Sequence, residues 1–316
     1  MKLLYMGTPA SSDRCLRGLA REAWPIVGVV TQPDRPKGRS RVLKPPPVKE
    51  AALELGLLVH QPPKASAPEF LDVVRALEPD LVVVFAYGEI LSEAFLALPK
   101  IATINLHLSL LPKYRGAAPV RWAIANGETE TGVTVMHLTK KMDAGDVILQ
   151  RPEPIRPDDT GESLEVRLTD VGSALLVEAT RALEAGTAPR VPQDHDQATF
   201  APKLTKAHGL IDWTQPAEAI ERRVRAFIPW PVAHSFLPTS SGPKLLRILE
   251  AGVVEGSAAP GEAIVGGKAF CVGTGKGLLD LERVQLEGKR PMTSAEFLVG
   301  HPIADGTKLG PSGGGP

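Results

Sequence analysis

Two periods of apolar and polar positions alternate along the chain. Residues 2–6 form a short apolar run closed by Gly7-Thr8-Pro9, the pattern of a buried strand entering a turn. Residues 13–22 place their apolar positions at helical spacing, and residues 26–31 are apolar again. Strand, helix and strand in this order, with a glycine after the first strand, predict the start of a doubly wound α/β sheet. Helices follow over 48–55 and 68–77, with a short strand at 57–59 between them. Residues 81–86 are continuously apolar, the pattern of a parallel strand covered on both faces. Tyr87-Gly88 ends that strand, and a short helix is expected over 91–98. Residues 101–108 form another apolar strand rich in β-branched positions, and Pro112 marks its exit into a loop. A helix over 120–126 and strands over 132–138 and 147–150 complete the series, the last two flanking a loop that holds Asp143 and Asp146.

The second half changes character. Residues 162–184 read as one amphipathic helix, with Leu164, Leu168, Val171 and Leu175 at three- and four-residue spacing. Residues 186–205 carry Pro189, Pro192 and Pro202 and read as a connecting segment that leaves room for a short strand. Beyond it, a helix over 216–226 precedes short strands at 244–249, 261–265, 269–272 and 278–285, a spacing that suggests a small β-barrel. The expected domains are 1–188, a linker at 189–206, a second domain at 207–310, and a glycine-rich tail at 311–316 expected to be disordered.

Composition supports this division and narrows the function. A chain of 316 residues exceeds what one core usually holds, so two domains are expected. No run of about 18 apolar residues is present, which excludes a spanning helix, and the N-terminal apolar run is too short for a signal peptide. Cys15 and Cys271, the only cysteines, argue against a disulfide framework or a cysteine-based zinc site and fit a reducing cytoplasm; the protein is expected to be a monomer. No cluster of ligand residues calls for a metal. Acidic and basic residues balance, so a polyanionic partner must be held by a local patch. Residues 31–47 offer one: Arg35, Lys37, Arg39, Arg41 and Lys44 oppose only Asp34 in a stretch rich in Pro and Gly. Such a loop orders on a phosphate backbone or remains a solvated surface. Gly7 is followed by Thr8-Pro9-Ala10-Ser11-Ser12, so the glycine fingerprint of a dinucleotide site is absent.

Candidate chemistry gathers at the strand over 101–108. Side chains alternate, so Thr103, Asn105 and His107 share one face while Ile104 and Leu106 take the other. Asn105 and His107 then stand at a carboxyl end, where open parallel sheets bind ligands. A carboxamide and an imidazole together can stabilise an oxyanion and move a proton, the needs of acyl transfer. Asp143 or Asp146 could orient the imidazole, and spacing alone does not choose between them. A strand-end Asn-x-His also serves simply as a turn cap, and these residues alone leave both readings open.

The ordered segments Gly7-Thr8-Pro9, Gln32-Pro33-Asp34-Arg35-Pro36, Ala86-Tyr87-Gly88, Asn105-Leu106-His107, Ser109-Leu110-Leu111-Pro112, Arg115-Gly116-Ala117-Ala118-Pro119, Thr131-Gly132-Val133-Thr134 and Asp143-Ala144-Gly145-Asp146 resemble the formyltransferases that use 10-formyltetrahydrofolate. Ile211-Asp212-Trp213 and Arg225-Ala226-Phe227-Ile228-Pro229-Trp230-Pro231 extend the resemblance into the second half. It implies a Rossmann-like formyltransferase domain followed by a smaller OB-like barrel. It implies catalytic roles for Asn105, His107 and Asp143, and a folate site along Ser109, Leu110, Leu111 and Pro112 with Tyr87 and Gly88 beside it. It further implies that the basic loop, with Arg35, Lys37, Arg39, Arg41 and Lys44, meets the acceptor end of initiator methionyl-tRNA. Two departures touch only packing: Ala10 stands where the family usually has an aromatic residue, and Ile228 where it commonly has Asn. Arg222, Arg223, Arg225, Lys244, Arg247, Lys289 and Arg290 are candidate phosphate contacts or ordinary surface charge. A family member acting on a small amine, or a non-catalytic RNA-binding protein on the same fold, are the rival readings.

Overall fold

A computed structural model describes residues 1–37 and 42–310. The chain forms two compact units that interleave along the sequence, Met1–Pro119 with Glu130–Pro154 and Glu165–Ala201, and Val120–Thr129 with Ile155–Leu164 and Pro202–Pro316.

In the first unit the strands are β1 (Leu3–Gly7), β2 (Ile26–Val30), β3 (Arg35–Lys37), β4 (Val42–Lys44), β5 (Val59–His60), β6 (Leu81–Phe85), β7 (Ala102–His107), β8 (Arg115–Gly116), β9 (Glu130–His137), β10 (Val147–Pro154) and β11 (Phe200–Ala201). The helices along this part of the chain are α1 (Ala10–Ala20), α2 (Pro47–Glu54), α3 (Pro68–Leu77), α4 (Glu93–Leu96), α5 (Pro119–Ala125) and α6 (Gly161–Glu184). Seven strands join in the order β10-β9-β7-β6-β1-β2-β5. The five from β7 to β5 run parallel, and β9 is antiparallel to both of its neighbours. Because β2 and β6 flank β1, the chain reverses direction across the sheet at β1, and ligand crevices in such sheets open outside the carboxyl ends at that point.

The sheet is covered on both faces, which is why β1 and β6 are buried at every residue and read as unbroken apolar runs. On one face Leu4, Met6, Val82 and Val84 pack against Phe70, Leu71 and Val74 of α3 and Phe95 of α4. On the other, Tyr5 hydrogen-bonds Ser12 of α1, and Leu106 lies so close to Gly172 of α6 that a Cβ there would stand 2.9 Å from its methyl. Burying each such Leu or Val stabilises the fold by roughly 1.5–3 kcal/mol.

Two stretches differ from the expectations set by composition. Residues 35–37 and 42–44 pair as a two-stranded antiparallel ribbon, with Arg35 opposite Lys44 and Pro36 opposite Leu43, where a loop was expected. A proline is tolerated in a ribbon with free edges, so its presence did not prevent pairing. Residues 189–201, expected as linker, are bonded into the first unit: Val191 bridges Val147, and β11 pairs in parallel with β8.

The second unit is built around β12 (His234–Leu237), β13 (Lys244–Val254), β14 (Ala263–Gly266), β15 (Ala269–Gly273), β16 (Leu278–Leu286) and β17 (Met292–Thr293), with α7 (Ala217–Ala226) and α8 (Ser294–Gly300). The strands form one antiparallel sheet, β12-β13-β16-β15-β14, with β17 added to β16. It curls as a half-barrel over Ile211, Trp213, Ile220, Val224, Leu246, Ile248, Phe270 and Phe297. The C-terminal segment touches both edge regions, through Phe236 with Gly310 and Glu262 with Lys308. Among the described residues, no helix is long and apolar enough to cross a membrane.

Candidate active site

β7 delivers Asn105 and His107 on one face, opposite Met136 and Thr134 of β9. Asn105 is partly exposed, whereas His107 is buried. The imidazole Nε2 lies 2.9 Å from the carbonyl oxygen of Tyr114. A carbonyl only accepts, so Nε2 carries the hydrogen and the neutral ring keeps its lone pair on Nδ1. Nδ1 faces Oδ2 of Asp143 at 3.8 Å. The Tyr114 carbonyl, rather than the Asp143 carboxylate, therefore sets the tautomer. Tyr114 holds a left-handed backbone with φ of 60°, a sparsely occupied conformation for a bulky residue. Its N–H donates to Thr199 Oγ1 at 2.8 Å, and the N–H of Arg115 donates to the Thr199 carbonyl at 2.9 Å, which keeps the backbone there.

Asp143 is placed with equal definition. Its φ is 49°, and its Oδ2 accepts from the N–H of Gly116 at 2.8 Å. Gly116 has φ of 123°, and a Cβ there would stand 2.6 Å from the Ala201 carbonyl oxygen, so no side chain is accommodated. Gln193 donates from Nε2 to the carbonyls of Asp143 and Gly145, at 2.9 and 2.7 Å. The neighbouring acid is differently engaged: Asp146 pairs with Arg190 at 2.7 Å. Of the two carboxylates left open by spacing, Asp143 is the one beside the imidazole.

The segment after β7 is fixed by side chains from β9 and β10. Ser109 is fully buried and donates to the Lys113 carbonyl at 2.6 Å. Thr134 donates to the Ser109 carbonyl at 2.6 Å and accepts from the Leu111 N–H at 3.1 Å. Gln150 donates to the Leu111 carbonyl at 2.8 Å, and the Leu111–Pro112 peptide is cis. Leu110 and Pro112 are half-buried in this segment. Tyr87 and Gly88 follow β6, the strand next to β7. Thr8 donates to the Tyr87 carbonyl at 2.8 Å, while the buried Tyr87 hydroxyl has no hydrogen-bond partner among the described residues. Burial pushes that phenol up to about 12, with the Glu89 carboxylate adding to the effect and the Gln32 side chain opposing it. Gly88 has φ of 94°.

The basic ribbon is a separate feature. Arg35 and Lys44 are exposed and face each other across it. Arg35 donates to the Gln32 side chain at 3.1 Å. Lys37 contributes its backbone to the ladder, and Arg39 and Arg41 lie outside the described residues. At the root, Asp34 accepts from Lys49 at 2.8 Å and from Gln61 at 2.7 Å. The Lys49 bond, and then the Gln61 bond, hold the Asp34 carboxyl below the usual carboxylate range.

Thr134 falls in a segment that carries the resemblance but had no role assigned, and nothing in the sequence singled out Tyr114, Gln150, Gln193 or Thr199. Their roles come from long-range contacts with no local signature. Among the described residues, no group of three or more His, Cys, Asp or Glu is arranged to hold a metal ion.

Residues 1–180 match the family described as formyl transferase, and residues 203–302 match its C-terminal domain. The methionyl-tRNA formyltransferase of Trichlorobacter lovleyi is 44% identical over 98% of this chain and 97% of its own length. The enzyme of the same name from Geobacter sulfurreducens is 43% identical over 99% of this chain and 98% of its own length. Among solved structures, an N-formyltransferase from Helicobacter canadensis in complex with folinic acid and dTDP-3-aminofucose superposes with a TM-score of 0.68 at 17% identity, covering 92% of this chain and all of the other (100%). HypX from Aquifex aeolicus in complex with tetrahydrofolic acid superposes with a TM-score of 0.63 at 20% identity over 94% of this chain, which spans 47% of HypX. At these identities the two structures report a shared fold.

Proposed function

The chain belongs to the formyl transferase family, and on that premise we propose that it moves the formyl group of 10-formyltetrahydrofolate onto the free α-amino group of initiator methionyl-tRNA, yielding N-formylmethionyl-tRNA for translation initiation. The observation that carries the acceptor is the end-to-end match to methionyl-tRNA formyltransferases, 44% identical over 98% of this chain. The exposed Arg35 and Lys44 on the ribbon support a polyanionic acceptor, since phosphate neutralisation is the main source of nucleic-acid affinity. Lys37, Arg39 and Arg41 belong to the same proposed contact. In this reading the protein acts as a cytoplasmic monomer.

The folate donor supplies an activated formyl carbon on its N10. Ser109, Leu110, Leu111, Pro112, Tyr87 and Gly88 would hold it, and the buried Tyr87 hydroxyl, without a hydrogen-bond partner among the described residues, suits a ligand with polar ring atoms. Asn105 donates its carboxamide N–H to the oxyanion that forms as the amine attacks, and one such donor is worth roughly 2.7–4 kcal/mol. His107 has Nε2–H committed to the Tyr114 carbonyl, so Nδ1 accepts the proton that the amine loses. Asp143, 3.8 Å from Nδ1, offsets the charge on the resulting imidazolium. The imidazolium then returns the proton to the departing nitrogen. No covalent enzyme intermediate is needed.

Incubation of the purified protein with 10-formyltetrahydrofolate and methionyl-tRNA tests the reading. Formylated product, formed at a rate that falls steeply with added salt at limiting tRNA, is the expected outcome. Turnover of an amino-sugar nucleotide with no product on methionyl-tRNA would overturn the acceptor while leaving formyl transfer intact.

A further inference from the structure

We infer that Gln193, oriented by Arg115, is a positioning residue for formyl transfer: it holds the loop that carries Asp143 in place beside His107. The inference rests on the reading of Asn105, His107 and Asp143 given above and extends it to residues outside that set.

Gln193 is 8% exposed and Arg115 6% exposed, so neither contact is diluted by solvent. Gln193 Oε1 accepts from Arg115 Nε at 3.2 Å and from Nη2 at 2.6 Å. A guanidinium only donates, so the amide oxygen must face it and the amide nitrogen must face away. That nitrogen meets the carbonyls of Asp143 and Gly145, at 2.9 and 2.7 Å, which only accept. Turning the amide over would set N–H against guanidinium and oxygen against two carbonyls. The chemistry of the partners therefore permits one orientation. Arg115 is itself steadied by His195, whose Nδ1 lies 2.9 Å from Nη2.

One of the two bonded carbonyls is that of Asp143 itself, where the backbone is left-handed, and the other is that of Gly145, two residues on. Its carboxylate is meanwhile bonded to the N–H of Gly116, the residue after Arg115. The residue before Arg115 is Tyr114, whose carbonyl holds His107 Nε2. Three consecutive residues thus set the separation of the two catalytic groups. Tyr114 orients the imidazole, Gly116 holds the carboxylate, and Arg115 fixes the carboxylate's loop through Gln193. Without Gln193 the loop retains the Gly116 bond to the Asp143 carboxylate and loses both bonds to its backbone carbonyls. A displacement of the carboxylate on the order of 1 Å is enough to cost about 10²-fold in rate.

Single-turnover formyl transfer, with thermal melting alongside, is measured for Gln193→Ala, for Gln193→Glu, and for each combined with Asp143→Asn. Gln193→Glu preserves side-chain size and an acceptor for Arg115 but turns an oxygen onto the loop carbonyls, so it separates loop positioning from packing. Both single variants are expected to react about 10²-fold more slowly with KM for both substrates unchanged. In the Asp143→Asn background, removing Gln193 is expected to add little further loss, the signature of one residue acting through the other. Wild-type rates in the folded single variants, or losses that multiply in full with Asp143→Asn, would overturn the inference. Wild-type turnover by Asp143→Asn alone would instead remove the underlying site reading, and the inference with it.

Discussion

His107 and Lys44 both face substrate in this account, and the fold treats them in opposite ways. His107 is 6% exposed, with one ring nitrogen bonded to the Tyr114 carbonyl and the other turned to Asp143. Lys44 is exposed on a ribbon of three facing pairs, held at its root by Asp34, Lys49 and Gln61. Even its apolar neighbour Leu43 is 64% exposed. The difference follows from the work each region does. On the proposed reading, proton transfer at His107 depends on tenths of an ångström, and this ring is buried with one nitrogen fixed by a carbonyl. Phosphate contacts act through charge over several ångströms and tolerate an exposed support.

The comparison breaks most sharply at the histidine. His107→Ala is expected to lower kcat by about 10²–10⁴-fold while donor binding, measured by fluorescence titration, is unchanged. Next is the backbone beneath it. Gly116→Ala forces a side chain into a backbone with φ of 123° and against the Ala201 carbonyl. It is expected to reduce unfolding stability by about 1–3 kcal/mol in a urea titration, together with a fall in kcat. A ribbon substitution is expected to behave differently in kind: Arg35→Ala or Lys44→Ala raises KM for tRNA, leaves kcat and folate KM alone, and reduces the salt slope of binding by about one. Equal effects of Lys44→Ala on kcat and KM would erase the distinction between the regions.

The smallest effect concerns the ribbon's root. Asp34 is held below the usual carboxylate range by Lys49 first and Gln61 second. A carboxylate with a lowered folded pKa contributes above its unfolded value, about 4, and loses that contribution as the pH falls through the lowered folded value. Protection factors for hydrogen exchange in the ribbon, taken against the intrinsic rate at each pH, are therefore expected to fall in acid below about pH 4. Asp34→Asn should flatten that dependence, and an unaltered pH profile in the variant would assign the loosening to another group.

Much of β7 and its neighbours in the sheet was legible in the sequence, and less of what surrounds them. The apolar runs of β1, β6 and β7 announced a parallel sheet because both faces are covered, and two-residue alternation placed Asn105 and His107 together. Asp143 was distinguished from Asp146 by family resemblance. The physical distinction, Arg190 engaging Asp146, joins residues 44 apart in sequence. Gln193 lay hidden between Pro192 and a polar run that read as linker, yet its partners stand 50 and 78 residues away. The ribbon of residues 35–37 and 42–44 was obscured by Pro36, which composition assigns to a loop and a free-edged ribbon tolerates. Periodicity reports which face of an element is buried, and the contacts that orient a site mostly cross between elements.

The most direct test is formyl transfer from 10-formyltetrahydrofolate to methionyl-tRNA, with wild type run beside His107→Ala and Asp143→Asn. The account predicts product from the wild type and near-total loss in both variants, each still folded and still binding the donor. Turnover near the wild-type rate in either variant would contradict the roles assigned to that pair.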